Sequence, residues 1–402
     1  MSTHAVIHID RFLRNFHAVK NRVGQCRICV PVKADAYGHG ALQIAKTCLE
    51  AGAFCLGVAS VSEGAELRQY GITAPILIFS QPHPEEISKI VKSALIPFIS
   101  DEKFAASLNE HAEQKKIQLP VHLKIDTGMK RIGCSADESL SLARFISSCS
   151  GLELAGTATH FAVSDSTDEG DIAFTQEQSE RFKAAVENIK ADGIDPGIVH
   201  AANSGAVILH PDTWFDMVRP GIFLYGYKTA EESETAGDHR QMLAGFEPLQ
   251  AEPVMELKSA VSLIKKIKKG DTVSYGRTWT APQDTNIAII SIGYADGLPR
   301  LASNKWQVVI CGKTYPIVGR VTMDQCCVDL GPETKVRLWS DVLVFGSAVQ
   351  GKSPQEFYPD AAKLASIVDT IPYEITCNIN KRVQRMYKAY GVSLTNSHFN
   401  CM

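Results

Sequence analysis

A lysine at the end of an apolar run is the first residue of the chain whose type and position could do chemistry. In the stretch PVKADAYGHG, Lys33 is the last residue of the strand-like run CRICVPVK. An ammonium group is costly to remove from water, so such a lysine needs either a charged partner or a reaction that uses a lowered pKa. Its ε-amine is therefore a candidate nucleophile toward a carbonyl group.

Other polar side chains stand where apolar runs of the first 225 residues end. They are Lys124 and Asp126 with Arg131 just beyond, His160, His200 and Asn203 followed by Ser204, and Arg219 followed by Gly221 and Ile222. Taken singly, each has an ordinary structural explanation, since a buried histidine is usually a hydrogen-bonded core residue and a serine is often a helix cap. Taken together, an amine, a hydroxyl at a helix start, an arginine and an imidazole suit pyridoxal 5′-phosphate (PLP).

These side chains can share one location only if the fold brings the strand ends together. Eight strand-like runs alternate with helix-like runs and end near Lys33, Ser60, Ser80, Ser100, Asp126, His160, Asn203 and Gly221. Parallel strands must be joined by crossovers, so this pattern predicts an α/β fold with an N-terminal (β/α)8 TIM-type barrel, whose catalytic groups lie at the C-terminal ends of strands. A doubly wound open sheet is the alternative, but the glycine-rich phosphate turn that it needs after the first strand is absent.

The sequence pattern changes after Tyr227. Residues 228–247 are polar and acidic, and from Pro248 onward short apolar runs are separated by glycines, with one clear helix in PDAAKLASIVD. This predicts a C-terminal domain made mainly of β-strands. We place the PLP-binding barrel at residues 11–240 and the β-rich domain at residues 241–402. Residues 1–10 have no place in the eight-strand count, so we expect them to pair with the second domain.

Composition narrows the class of protein. The 402 residues are 45% hydrophobic and 21% charged, and the net charge of −3 argues against nucleic acid as a partner. There is no apolar run near the ~18 residues of a membrane span, and the first residues do not resemble an export signal. With eleven cysteines and no such signal, we expect reduced thiols and a cytoplasmic location without a membrane partner. Cys26 and Cys29 form a lone C-x-x-C in a strand-like run, and no metal site is expected.

The motifs resemble those of the alanine racemases, which are fold-type III PLP-dependent amino-acid racemases. In order along the chain, they are PVKADAYGHG, KIDTGMKRIG, THFA, HAANSGA, DMVRPGIFLYG, VSYG, IGYADG, GRVTMDQ and TIPYEITC. Nine motifs in the family's order make the resemblance specific. It implies an isomerase that interconverts L-alanine and D-alanine and supplies D-alanine, a precursor of cell-wall peptidoglycan.

The resemblance also implies roles for individual residues. Lys33 would hold the cofactor and serve as one catalytic base, and Tyr275 would be the second base on the opposite face of the cofactor. The other cofactor-binding residues would be Tyr37, Arg131, His160, Asn203, Ser204, Arg219, Gly221, Ile222 and Tyr373. Arg131 and Met323 would bind substrate. Lys124, which the family often carries as a carbamate, would orient Arg131, and His200 would support Arg219. The entrance would be lined by Asp165, Tyr294, Arg300, Arg320 and Ile371.

Two residues carry much of this interpretation. In the family the second tyrosine base reaches the active site of a partner subunit, so the resemblance implies a homodimer with shared sites. From the residues alone, Tyr275 would instead be a half-buried strand tyrosine. Arg219 at the pyridine nitrogen would keep that nitrogen unprotonated, whereas PLP-dependent decarboxylases of similar architecture have a carboxylate there.

Two alternatives to alanine racemisation stay open at the level of sequence. The first is a racemase of serine or of broader substrate range. The second is a non-catalytic PLP-binding protein. Proteins of that second kind typically consist of a barrel alone, so the β-rich domain with VSYG and IGYADG speaks against it.

Overall fold

Alternating apolar strands and amphipathic helices build a barrel in the first part of the chain. The structure is a computed structural model and describes residues 3–229, 246, 248–346, 359–389 and 392–394. The barrel strands are β2 (Arg27–Pro31), β3 (Cys55–Val58), β4 (Ile76–Ile78), β5 (Ile96–Ile99), β6 (Leu119–Asp126), β8 (Leu152–Ala158), β9 (Ile198–His200) and β10 (Met217–Val218). The short β7 (Cys134–Ser135) pairs with β6 at the edge of this sheet.

The eight strands form a closed parallel sheet. Their order is β5-β4-β3-β2-β10-β9-β8-β6, and β5 also pairs with β6, which closes the ring. Every pairing in the ring is parallel. The predicted (β/α)8 barrel is therefore confirmed. β6 ends at Asp126, as predicted, and the other strands end one to three residues before the predicted positions. Asn203, for example, lies beyond β9 and accepts a hydrogen bond at a helix start.

Helices cover the outside of the barrel. In chain order the helical segments are α1 (Ile9–Val23), α2 (Lys33–Tyr37), α3 (Ala41–Glu50), α4 (Val61–Gln69), α5 (Ile87–Lys92), α6 (Glu102–Gln114), α7 (Ser139–Ser148), α8 (Glu169–Ala191) and α9 (Ser204–Leu209). Of these, α2 is a short left-handed turn at the C-terminal ends of the barrel strands and not a covering helix. In α1, Phe12, Phe16 and Val19 recur at helical spacing and are fully buried, so one face of the helix packs on the core. Ser60, Asp101 and Asp168 cap later helices with side-chain oxygens.

The second domain is mostly β, as predicted. Its strands are β11 (Met255–Ile267), β12 (Thr285–Ile290), β13 (Gln307–Ile310), β14 (Lys313–Val318), β15 (Cys326–Asp329), β16 (Asp341–Phe345), β17 (Gln384–Ala389) and β18 (Val392–Leu394). Two helices, α10 (Ala361–Ile367) and α11 (Pro372–Cys377), follow β16. The first strand of the chain, β1 (His4–His8), lies in this sheet, antiparallel to β11 and parallel to β17. The predicted domain boundary at residues 240–241 falls outside the described residues.

Polar side chains join the two parts of the chain. The buried amide of Asn15 donates to the carbonyls of Leu224 and Glu252 and accepts from the N–H of Glu252. The Glu256 carboxylate on β11 lies 3.1 Å from His8 and 2.9 Å from Lys258. Because α1 follows β1 directly, these contacts hold the start of the barrel against the second sheet. No helix of the described residues is long and apolar enough to span a membrane.

Candidate active site

Lys33 begins a turn with unusual backbone geometry. The four residues after it, Ala34 to Tyr37, have φ between 50° and 54°, the left-handed region that L-residues with a side chain normally avoid. Such a conformation costs about 1–2 kcal/mol per residue. Hydrogen bonds within the turn, such as Gly38 N–H to the Ala34 carbonyl at 2.9 Å, offset part of this cost. The sequence PVKADAYGHG gives no local signal of a left-handed turn before its first glycine.

A cavity of about 440 Å³ opens at the C-terminal ends of the barrel strands. The predicted residues that line it are Lys33, Tyr37, Lys124, Arg131, His160, Asp165, Asn203, Ser204, Arg219, Gly221, Ile222 and Tyr373. The lining contains two lysines, two arginines and one carboxylate, that of Asp165. The cavity therefore attracts an anionic ligand. His200 lies behind it, in contact with Arg219.

The two lysines of the cavity have lowered pKa values. Burial, and then the positive charge of Arg131, lower the pKa of Lys33. Burial, and then Arg219, lower the pKa of Lys124 far below its usual value. Among the described residues, the Lys124 amine makes one long contact, of 3.4 Å, to the Ile125 carbonyl. Both amines are thus held toward the neutral, nucleophilic form.

Arg219 is buried and surrounded by uncharged acceptors. Its guanidinium donates to the carbonyls of Thr159 and Ala201 at 2.8 and 2.9 Å and to Nδ1 of His160 at 3.1 Å. A further N–H donates to Nδ1 of His200 at 2.5 Å. Among the described residues, no carboxylate forms an ion pair with it. Burial lowers the pKa of Arg219 to about 10, so it still carries its charge at neutral pH.

A second histidine extends this contact into the barrel core. Arginine can only donate, so Nδ1 of His200 accepts and its Nε2 carries the proton. That Nε2 lies 2.8 Å from Nδ1 of His122, which must accept. A Cβ at Gly156 would lie 2.5 Å from the His122 ring, so the glycine makes room for it. Sequence reasoning missed His122. Its position two residues before Lys124 on β6 was the available signal, since alternate residues of a strand share a face.

The other side of the cavity is a cradle of backbone and hydroxyl groups. Gly221 N–H donates to Ser204 Oγ at 2.8 Å, at the start of α9. A Cβ on Gly221 would lie 2.7 Å from the Tyr37 hydroxyl, so the absence of a side chain keeps this corner open. Tyr37 stacks on Tyr225 with ring centroids 4.7 Å apart. Burial raises the pKa of Tyr37, which keeps its hydroxyl a hydrogen-bond donor.

Two lining residues have other partners in the structure. The Asn203 side-chain oxygen accepts from the N–H of Ala206 at 3.0 Å and from Ser164 Oγ at 2.7 Å. This side-chain oxygen of Asn203 is therefore engaged in capping α9. Burial raises the pKa of Asp165, which lies against Gly205.

The loops that carry Arg131 and His160 are tied together by α8. The fully buried Gln178 accepts from the N–H of Ala162 at 3.0 Å and donates to the carbonyl of His160 at 3.2 Å. Its Nε2 also lies 3.4 Å from Thr127 Oγ1, four residues before Arg131. Sequence reasoning did not identify Gln178, because a glutamine in a polar helix has no local mark of burial.

The second-domain residues gather in a different cavity. Tyr275, Tyr294, Arg300, Arg320 and Met323 line a space of about 610 Å³, where Tyr275 is 75% exposed. Within the described residues, no side chain lines both this cavity and the one at the barrel end. Ile371, predicted at the entrance, is exposed just before α11 and lines neither. The predicted site residues of the two domains thus line two separate cavities.

Family comparisons cover both domains. The model of the alanine racemase N-terminal domain matches residues 7–229, and that of the alanine racemase C-terminal domain matches residues 254–387. A curated alanine racemase of Treponema denticola is 46% identical over 387 residues, covering 96% of this chain and 98% of that protein. That of Treponema pallidum is 42% identical, covering 95% and 98%.

Solved structures give the same result. An alanine racemase of Clostridium difficile has a TM-score of 0.88 and 32% identity, with 98% of each chain covered. An alanine racemase of Bacillus anthracis with bound L-Ala-P has a TM-score of 0.86 and 32% identity, covering 98% of this chain and 97% of that one.

Proposed function

The chain belongs to the alanine racemase family, and we propose that it interconverts L-alanine and D-alanine with PLP as its cofactor. One observation carries this proposal: a partly buried lysine, an arginine with no carboxylate partner among the described residues, and a cradle of hydroxyl and backbone N–H groups face one cationic cavity. The bound L-Ala-P of the Bacillus anthracis relative is in keeping with an alanine-derived ligand. D-alanine made in the cytoplasm would serve peptidoglycan synthesis.

The residues of the cavity fit PLP. The cofactor phosphate would lie against Tyr37, Ser204 and the backbone N–H groups of Gly221 and Ile222, in the corner that a Cβ on Gly221 would fill. Lys33 would hold its aldehyde carbon. Arg219 would donate to the pyridine nitrogen and His160 would lie against the ring. Arg131, next to Lys124, would bind the phenolic oxygen, and Tyr373 would close the cradle.

Racemisation requires one group to take the α-proton and another to return it from the opposite face. When bound, PLP withdraws electrons from the α-carbon of the amino acid attached to it. Lys33, whose pKa burial lowers, can accept a proton as a neutral amine. Tyr275 would act from the other face. Arg219 keeps its charge and can only donate, so it would leave the pyridine nitrogen without a proton of its own. That would limit electron withdrawal and disfavour side reactions such as transamination.

A homodimer would unite the two cavities. Tyr275 is more exposed than a catalytic residue in a closed active site would be. Tyr294, Leu301 and Met323 also have large side chains that are exposed in the single chain. We propose that this face covers the barrel mouth of a second copy, where Met323 would help to bind the substrate carboxylate and Arg300 and Arg320 would line the entrance. Each of the two sites would then contain residues of both subunits.

A mixing experiment tests the shared site. Lys33→Ala and Tyr275→Phe should each racemise alanine poorly. Subunit exchange between them would create dimers with one intact site, so we expect about one quarter of wild-type activity by symmetry. A mixture no more active than the two variants apart would show that the residues act within one chain, or not at all.

A chiral assay of alanine and serine tests the substrate. We expect faster racemisation of alanine by purified protein with added PLP, and faster racemisation of serine would favour a different racemase. Wild-type protein should absorb near ~420 nm when PLP is bound to a lysine, and Lys33→Ala should not. Equal absorbance of the two proteins would refute the role of Lys33.

A further inference from the structure

The left-handed turn after Lys33 needs support from outside itself. Four residues with side chains, Ala34 to Tyr37, hold positive φ values. At about 1–2 kcal/mol each, this conformation persists only where neighbouring structure imposes it. On the far side, Arg385 of β17 donates from Nε to the Gly38 carbonyl at 3.0 Å. The near side, next to Lys33, requires a support of its own.

Glu63 of α4 supplies that support. Its Oε1 accepts the backbone N–H of Ala34 at 2.7 Å, the first residue after Lys33. Its Oε2 accepts the N–H groups of Ala59 and Ser60 at 2.7 and 3.1 Å, just after β3 ends. One carboxylate thus joins the turn that follows β2 to the segment that follows β3, and β2 and β3 are neighbours in the barrel.

Glu63 makes one contact more than a helix cap requires. Glu63 and Ser60 do form a capping box, in which Ser60 Oγ accepts from the N–H of Glu63. Ser135 and Glu138 form a similar pair before α7, where Glu138 accepts the N–H of Ser135 at 3.1 Å. The contacts of Glu138 are local, whereas the second oxygen of Glu63 reaches the lysine turn. Glu138 therefore serves as an internal control: it caps a helix in the same way as Glu63 but, among the described residues, contacts no second segment.

We propose that Glu63 is a positioning residue for Lys33, holding the left-handed turn against the end of β3 and directing the lysine amine into the cavity. The inference rests on the proposed function only in taking Lys33 as the lysine that binds PLP. The Glu63 charge also acts on Lys33 through space, where it favours the protonated amine and raises its pKa. Arg131 and burial act in the opposite direction on the same pKa.

Glu63→Gln is the sharpest test, because the amide has the same shape but can accept through one atom only. Its NH2 would face a backbone N–H on one side, so the contact with one of the two segments would be lost. In the protein without PLP, we expect amide hydrogen exchange of residues 34–38 to accelerate at least about tenfold. With PLP added, we expect an apparent dissociation constant about tenfold larger and a lower pKa for the ~420 nm absorbance.

Two matched variants separate positioning from capping. Glu138→Gln alters the comparable cap far from Lys33 and should change neither the exchange of residues 34–38 nor PLP binding. Ser60→Ala weakens the cap of α4 but leaves the contact between Glu63 and Ala34. If Ser60→Ala reproduced the effects of Glu63→Gln on the turn, helix capping would account for them and the proposal would be wrong.

Other outcomes are also decisive. If Glu63→Gln fails to fold, Glu63→Asp keeps the charge but is one methylene too short to reach both segments, and it should show the same faster exchange. Unchanged exchange in a folded Glu63 variant would overturn the proposal. If wild-type protein binds no PLP at Lys33, the proposed function fails, but the exchange comparison without PLP still decides whether Glu63 holds the turn.

Discussion

Replacing Gln178 by leucine should destabilise the protein by about 3 kcal/mol. The side chain is fully buried and links Ala162, His160 and Thr127. Leucine has nearly the same volume, so the substitution opens little space and adds apolar burial. It leaves the N–H of Ala162 and the carbonyl of His160 without their partner, at about 1–3 kcal/mol for each unsatisfied group. The added apolar burial offsets part of that cost.

The same helix offers a matched control. Gln176 lies two residues earlier in α8 and is exposed, so Gln176→Leu makes the same chemical change without breaking a buried contact. We expect its effect to stay within about 0.5 kcal/mol of wild type. Urea unfolding of the three proteins, at one protein concentration and without PLP, gives the free energies of unfolding.

The free energies of unfolding of the two leucine variants decide whether the Gln178 contacts stabilise the protein. If Gln178→Leu and Gln176→Leu lower the free energy of unfolding equally, Gln178 does not stabilise the loops of Arg131 and His160, and the reasoning from its hydrogen bonds is wrong. If only Gln178→Leu is destabilised, hydrogen exchange should also be faster in the segments 127–131 and 159–162, which its side chain joins.

Two further predictions concern charge and space. His8 and Lys258 lower the pKa of Glu256 to about 2 against the opposing effect of burial, from a usual value of 4.5. Since the folded pKa is depressed, the stabilisation is complete above about pH 5 and is lost as the pH falls toward 2. This stabilisation amounts to about 3 kcal/mol at most. Glu256→Gln should therefore lose less unfolding free energy than wild type as the pH falls from about 5 to 2. If the unfolding free energies of the two proteins fell in parallel with pH, the depressed pKa of Glu256 would be contradicted. Gly221→Ala would place a Cβ 2.7 Å from the Tyr37 hydroxyl and should weaken PLP binding, measured by absorbance titration, about tenfold or more. Unchanged PLP affinity would show that the phosphate does not lie in this corner.

Local patterns in the sequence were sufficient to predict the barrel. Strand alternation and helical periodicity depend on residues within one or two turns of each other, so eight repeats could be recognised without coordinates. Because the C-terminal ends of barrel strands meet at one face, polar residues such as Lys33, Lys124 and Arg219 could be grouped before the fold was known. Their convergence on one cavity followed from topology alone.

The supporting residues could not be predicted in this way. His122 contacts His200 across 78 positions, and Glu63 contacts Ala34 across 29. Gln178 lies in a helix whose polar sequence is typical of an exposed one. Such contacts depend on the distance and angle between elements that are remote in sequence, and periodicity carries no information on either.

By itself, therefore, the sequence determined the succession of strands and helices, and with it the face on which the reactive side chains collect, because these follow from local backbone preference and the closure of a parallel sheet. Only the tertiary structure decided which buried groups hold those side chains in place, and that Tyr275 lies in a cavity apart from Lys33. The reason is physical: a buried polar group is stable only beside a partner, and packing chooses that partner from the whole chain.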